Sequence, residues 1–95
     1  MGNVAGKYNA KETGFVPGAS SLHNSMTPHG PESDAFIKAS TCELKPTFVS
    51  PNGLAFMFET CFMLKLTKYA SDNEHIDVDY YKSWEGLQNN FTKQI

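Results

Sequence analysis

LAFMFETCFMLKL, residues 54–66, is a strongly apolar stretch in this chain of 95 residues. It follows a shorter apolar run, Thr47–Val49, and the turn-forming sequence Ser50-Pro51-Asn52-Gly53. Two apolar runs joined through Pro-Asn-Gly predict a β-hairpin. From Thr60 the chain continues either as a second long strand or as an extension through a bulge. Apolar side chains on both faces of a strand need cover on both sides, so more protein is expected around this stretch.

Shorter elements are predicted before the hairpin. Residues 1–19 contain four glycines and little periodicity, which indicates loops around a short strand near Phe15-Val16. Ser20–Met26 is predicted as a second short strand, which Pro28 ends. Pro31 stands where a helix can begin, and acidic residues in the following turn favour a helix over Glu32–Ser40.

Near the C-terminal end, an acidic loop over Ser71–Asp79 precedes a predicted helix. Tyr80, Trp84, Leu87 and Phe91 follow one another at intervals of four, three and four, so they share one helical face. Asp79 is a suitable N-cap for that helix. The expected secondary structure is therefore mostly β with two short helices.

Composition narrows the class of protein. The chain is 40% hydrophobic and 19% charged, with a net charge of −2. All eight basic residues are lysines, so arginine, the best reader of phosphate and guanine, is missing. We therefore expect no nucleic-acid partner. The apolar runs are too short to span a membrane and no signal peptide is apparent, which predicts a cytoplasmic protein without membrane contact.

The two cysteines do not form a metal-binding pair. Cys42 and Cys61 are nineteen positions apart and neither belongs to a CxxC motif, which excludes a zinc ribbon. Buried free thiols are the favoured interpretation, and a single disulfide stays open as the alternative.

Among the residues with acid–base chemistry, His75 and Glu59 are expected to be solvated. His75 lies in an acidic loop that departs from the calcium-loop pattern, with Asp77 where that pattern has glycine and Ser83 where it has glutamate. Glu59 is expected at an exposed strand end. Neither a nucleophile elbow nor a phosphate-binding glycine loop occurs, so no catalytic nucleophile is predicted.

His23 and His29 are the stronger candidates for a site. His29 lies in Thr27-Pro28-His29-Gly30-Pro31, where prolines restrict the backbone and Gly30 allows a tight turn. Such a loop can hold an imidazole in one orientation, as a metal ligand or a base requires. The alternative is a turn whose histidine only caps the next helix, because a single histidine without ligand spacing does not define a metal site.

Taken together, these segments resemble the C-terminal region of the homogentisate dioxygenase family. The resemblance runs in order along nearly the whole chain. Its main motifs are Gly14-Phe15-Val16-Pro17-Gly18, Ser21-Leu22-His23, Met26-Thr27-Pro28-His29-Gly30-Pro31, Lys38-Ala39-Ser40, Leu54-Ala55-Phe56-Met57-Phe58-Glu59 and Tyr81-Lys82-Ser83-Trp84-Glu85.

The resemblance implies an iron(II) enzyme that cleaves the ring of homogentisate with O₂, in the breakdown of tyrosine and phenylalanine. By resemblance His29 is an iron ligand, and Tyr8, His23 and His29 contact the small aromatic acid substrate. The other histidine ligand, the glutamate ligand and the general base are expected upstream of Met1, so no catalytic base is assigned within residues 1–95. The alternative is a catalytically inactive remnant that acts as a small binding or interaction protein.

The resemblance also sets the expected architecture. It implies that residues 1–95 are the C-terminal segment of a cupin-like jelly-roll domain (a double-stranded β-helix), incomplete on its own. The family's assembly into trimers and hexamers implies contacts with other copies of the chain.

Overall fold

The computed structural model describes residues 1–91 of the chain. Its regular elements, in chain order, are strand β1 (Gly2–Ala5), helix α1 (Ser33–Thr41), strand β2 (Leu54–Phe56), helix α2 (Lys68–Ser71) and a 3-10 helix (Tyr80–Trp84). Most of the remaining chain forms turns and irregular segments, so the fraction of β structure is much smaller than expected.

The two strands form one antiparallel sheet. Gly2 pairs with Phe56, and the register shifts after Asn3, so that Ala5 pairs with Leu54. A Cβ atom at Gly2 would lie 2.5 Å from Cζ of Phe56. Glycine therefore allows the phenylalanine ring to lie directly across the first strand.

The hairpin expected around Ser50–Gly53 is wrong, although its turn is present. The amide of Gly53 donates to the carbonyl of Ser50 at 2.9 Å, but Thr47–Val49 is not a strand. The hydroxyl of Ser50 donates to the carbonyl of Lys7 at 2.6 Å. This bond holds the turn beside the end of β1, which brings β2 against β1 instead of against the preceding run.

The long strand expected over Leu54–Leu66 is also shorter than predicted. It ends at Phe56, and the rest of the stretch is irregular and exposed. The side chain of Asn24 contacts the backbone of Leu64 twice, accepting from its amide at 2.8 Å and donating to its carbonyl at 3.0 Å. At this position a side-chain amide supplies the bonds that a neighbouring strand would otherwise provide.

The strands predicted near Phe15-Val16 and over Ser20–Met26 are wrong as well. Ser20 makes only an isolated bridge to Gly2. The buried side-chain amide of Asn3 donates to the carbonyl of Phe15 at 2.7 Å, and the backbone carbonyl of Asn3 accepts from the amide of Gly18 at 2.8 Å. These contacts wrap the glycine-rich loop around β1 and leave Phe15 as the buried apolar residue beneath it.

Helix α1 agrees with the predicted helix to within one residue, with Glu32 as its N-cap. The C-terminal helix was predicted too long. It is a single 3-10 segment that ends after Trp84, and Gly86 then adopts a φ of +88°. This left-handed conformation suits glycine and ends the helix, so Leu87 and Phe91 lie outside it.

Other expectations have mixed outcomes. The acidic loop is confirmed except that its first residue, Ser71, ends α2, a helix that was not predicted. Cys42 and Cys61 are free thiols, as favoured, but both are exposed, so their expected burial is wrong. Within residues 1–91 there is no helix long and apolar enough to cross a membrane.

Candidate functional site

The turn that carries His29 fixes the orientation of its ring. The amide of Thr27 donates to the carbonyl of Asn24 at 3.1 Å, which closes the turn. Nδ1 of His29 lies 2.9 Å from the carbonyl oxygen of Thr27. Because a carbonyl only accepts, Nδ1 carries a proton, and Nε2 is the ring nitrogen that none of the described residues bonds. This is the arrangement in which protein imidazoles bind metals.

His23 is held in a different way. Its Nε2 atom lies 2.8 Å from the hydroxyl oxygen of Tyr80. Burial, followed by the neighbouring positive charge of His29, lowers the pKa of His23 and favours its neutral form. Burial, followed by the carboxylates of Asp77 and Glu32, raises the pKa of Tyr80 and keeps its hydroxyl protonated. The ring of His23 is therefore a neutral group fixed through Nε2.

The two imidazoles stack on one another. The ring centroids of His23 and His29 are 4.4 Å apart and the ring planes differ by 9°. The ring centroid of Trp84 lies 6.4 Å from that of His23 and 5.2 Å from that of Tyr80, and both contacts are edge-to-face. A small aromatic cluster thus surrounds the pair on one side.

Tyr8, the third expected site residue, lies on the same cavity. Its ring meets Phe15 edge-to-face at 5.6 Å, and its carbonyl accepts from the amide of Lys11 at 3.1 Å. The cavity has a volume of about 570 Å³, and Tyr8, His23 and His29 all line it. That volume is in the range of sites for small organic ligands.

A partly buried ion pair, Lys11 with Glu32, lines this cavity. The carboxylate of Glu32 accepts from the amide of Glu12 at 2.8 Å and from the hydroxyl of Thr13 at 3.0 Å, with Lys11 Nζ at 3.5 Å. Burial alone would raise the pKa of Glu32, but these hydrogen bonds and the lysine charge outweigh it and lower the pKa. Lys11 also donates to the hydroxyl of Ser83 at 2.9 Å, which joins the first loop to the C-terminal 3-10 helix.

The described residues do not form a complete metal site. Within residues 1–91 there is no group of three or more His, Cys, Asp or Glu side chains placed to hold a metal ion. His75 is exposed, 3.9 Å from the carboxylate of Glu74, as expected of a solvated loop. Glu59 is exposed as predicted, although it also lines the cavity.

Sequence reasoning missed the role of Tyr80 and Trp84 in the site. Both were placed on one face of a predicted helix together with Leu87 and Phe91. Instead Tyr80 contacts His23, and the indole N–H of Trp84 donates to the carbonyl of Gly30 at 2.9 Å. The signal available in the sequence was the polar tip of each ring, since buried tyrosine and tryptophan usually find a hydrogen-bond partner.

Comparison with known proteins identifies the class. The family model described as "Homogentisate 1,2-dioxygenase C-terminal" matches residues 1–91. The chain therefore belongs to the homogentisate 1,2-dioxygenase C-terminal family, as the sequence motifs indicated.

Individual relatives carry the same name. The chain is similar to the homogentisate 1,2-dioxygenase of Dictyostelium discoideum, with 52% identity over 95% of this chain and 21% of the relative. Identity to the Rhizobium etli enzyme is 53%, over 96% of this chain and 20% of the relative. Identity to the Mus musculus enzyme is 46%, over 97% of this chain and 21% of the relative. The chain thus spans about a fifth of the length of these relatives. No solved structure matches it.

Proposed function

We propose that this chain is the C-terminal segment of an iron(II)-dependent enzyme that opens the ring of homogentisate with O₂ and yields maleylacetoacetate. Its place would be the breakdown of tyrosine and phenylalanine in the cytoplasm. The names of the relatives support the substrate and the reaction type. Within this proposal the segment supplies one iron ligand and part of the wall that binds the substrate.

The observation that carries the proposal is the difference between the two stacked histidines. His29 has Nδ1 bound to a carbonyl and Nε2 left with its electron pair, whereas Nε2 of His23 is engaged by Tyr80. A metal therefore fits His29 better than His23. Since residues 1–91 hold no group of three such ligands, we expect the other ligands to come from outside this range. Two histidines and one carboxylate are the set that leaves iron(II) with open positions.

Each residue of the segment then has a defined task. Bound iron(II) would supply adjacent positions for the substrate phenolate and O₂. Tyr8 would hydrogen-bond the aromatic acid, and His23 would meet it through Nδ1, because its Nε2 is already bonded. The hydrogen bond from Nδ1 of His29 to the carbonyl of Thr27 would leave Nε2 as the atom that binds the metal.

The surroundings of the site support a larger domain. Phe58 and Phe62 are 87% and 74% exposed, although the first lies in a motif shared with the family. We propose that residues 1–95 belong to a cupin-like jelly-roll domain whose remaining part covers these side chains. The complete protein is proposed to assemble as a homotrimer or hexamer.

The proposal is tested by oxygen consumption with homogentisate, measured on the intact protein expressed from its natural coding sequence. We expect iron-dependent oxygen uptake with one equivalent of ring-opened product. His29→Ala should abolish uptake, because the ring that binds the metal is removed. His75→Ala, which changes an exposed histidine outside the cavity, is the matched control and should retain activity.

A second candidate function, a binding protein without catalysis, is favoured by the lack of a three-ligand group in residues 1–91. It predicts that the intact protein binds homogentisate but consumes no oxygen when iron(II) is supplied. Oxygen uptake that depends on His29 excludes it. Uptake that survives His29→Ala would contradict the proposed ligand.

A further inference from the structure

The 3-10 helix Tyr80–Trp84 makes separate contacts with the segments that carry the two histidines. At its first residue, the Tyr80 hydroxyl meets Nε2 of His23 at 2.8 Å. At its last residue, the indole N–H of Trp84 donates to the carbonyl of Gly30 at 2.9 Å. Gly30 directly follows His29, so one short helix holds both histidine segments at once.

The loop around His29 has few other restraints. The turn that carries it is exposed, and a Cβ atom at Gly30 would meet no heavy atom within 4 Å. The bond from Nδ1 to Thr27 fixes the ring relative to its own turn, but it joins atoms only two residues apart. The Trp84 bond joins atoms 54 residues apart and therefore fixes the turn relative to the rest of the site.

The helix that makes these contacts is itself anchored. Lys11 Nζ donates to the hydroxyl of Ser83 at 2.9 Å and lies 5.2 Å from the ring centroid of Tyr80. Lys11 in turn contacts the buried carboxylate of Glu32. The helix is thus tied to the loop that follows Tyr8, and its two polar rings have a fixed base.

We infer that Tyr80 and Trp84 are positioning residues with separate tasks. Tyr80 orients His23 toward the bound aromatic acid, and Trp84 fixes the turn that presents His29 to the metal. The inference rests on the proposed function and deepens it, because it assigns a residue to each histidine. It predicts that the two contacts can be broken one at a time, with different consequences.

The first test is Tyr80→Phe in the intact protein, which keeps the ring and removes the hydroxyl. We expect KM for homogentisate to rise about fivefold, the size of one net hydrogen bond, with the iron content unchanged. Tyr81→Phe is the matched control, because the side chain of Tyr81 is 60% exposed. Among the described residues, Tyr80 and not Tyr81 makes the hydrogen bond to His23. This control should leave KM and iron content as in the unaltered protein.

The second test is Trp84→Phe, which keeps an aromatic ring and removes the indole N–H. Iron(II) affinity, measured by competition with a chelator, should fall about fivefold, again the size of one hydrogen bond. With saturating iron(II), KM for homogentisate should change much less than in Tyr80→Phe. Circular dichroism of each variant establishes that it is folded.

Two outcomes would contradict the separate tasks of Tyr80 and Trp84. If both variants lower iron affinity and raise KM to the same extent, or if neither differs from Tyr81→Phe, the separate tasks are wrong. The outcome of His29→Ala distinguishes failure of this inference from failure of the proposed function. Loss of activity in His29→Ala with unaltered Tyr80→Phe and Trp84→Phe contradicts only the inference, whereas retained activity in His29→Ala contradicts both.

Discussion

Two parts of this chain are held in opposite ways. In the site region, residues 1–32, the buried side chains of Asn3 and Glu32 each make several hydrogen bonds, and Phe15 is buried. In the apolar segment, Leu54–Leu66, every residue is exposed, and the side chains are mostly hydrophobic. The site region is held by polar contacts, both among its own residues and with the 3-10 helix Tyr80–Trp84. The apolar segment requires surface from elsewhere. Large exposed apolar patches of this kind mark contact with other protein.

The largest effect is expected where the missing surface contributes most. In the intact protein, the double change Phe58→Ser and Phe62→Ser should lower the free energy of unfolding by at least about 3 kcal/mol, the cost of emptying a phenylalanine site in a core. Denaturant unfolding measures it. Tyr69→Ser is the matched control, because Tyr69 is 83% exposed and lies outside the apolar segment. Equal stability of the double variant and the control would show that the apolar segment is not covered.

The site region is tested by Asn3→Leu, which leaves the carbonyls of Phe15 and Gly6 without their donor. Each buried acceptor left unpaired costs roughly 1–3 kcal/mol, so a loss of about 2 kcal/mol is expected. Urea unfolding of Asn3→Leu and of Asn9→Leu, a change at an exposed position, gives the comparison. If the two variants are equally stable, polar contacts do not hold the site region.

A smaller, pH-dependent effect is expected for Glu32→Gln. The pKa of Glu32 is lowered in the folded protein, so its carboxylate stabilises the fold above the ordinary carboxyl range. This contribution is lost as the pH falls below the ordinary carboxyl range and through the lowered pKa of the folded protein. At neutral pH we expect a loss of about 1 kcal/mol in the variant, the net contribution of the one acceptor that the amide nitrogen removes. Unfolding curves from pH 7 to pH 3 should converge for variant and unaltered protein, and parallel curves would contradict the assignment.

The sequence predicted some elements of the fold better than others. Helix α1 was found because proline and acidic residues mark its start, and these signals are local. The prediction that His29 is a metal ligand came from the family motifs and stays a prediction. Local signals therefore predicted helix α1, whereas both strands expected within residues 1–32 were wrong.

The strands were predicted poorly for a physical reason. An apolar run indicates that a segment will be buried, but it does not identify the segment that packs against it. Ser50 bonds Lys7 and Asn24 bonds Leu64, and both contacts join residues about forty positions apart. The hydrophobic periodicity of a sequence does not indicate such long-range contacts. The pairing of β2 with β1 was therefore not predicted.

The C-terminal 3-10 helix shows a third limit. The spacing of Tyr80, Trp84, Leu87 and Phe91 fits an α-helix, but Gly86 interrupts it in a left-handed conformation. Glycine at position 86 is a known helix-ending residue, but the spacing of the four apolar residues favoured a longer helix. The aromatic rings before it then became part of the site instead of a packing face.

Iron binding tests the central claim, the division of tasks between the two stacked histidines, most directly. Iron(II) bound per chain is measured in the intact protein, in His29→Ala and in His23→Ala, after equilibration with the metal and removal of excess. We predict that His29→Ala loses bound iron while His23→Ala retains it, because only His29 has an electron pair on Nε2 that no described residue engages. Retention of iron by His29→Ala together with its loss from His23→Ala would contradict this account.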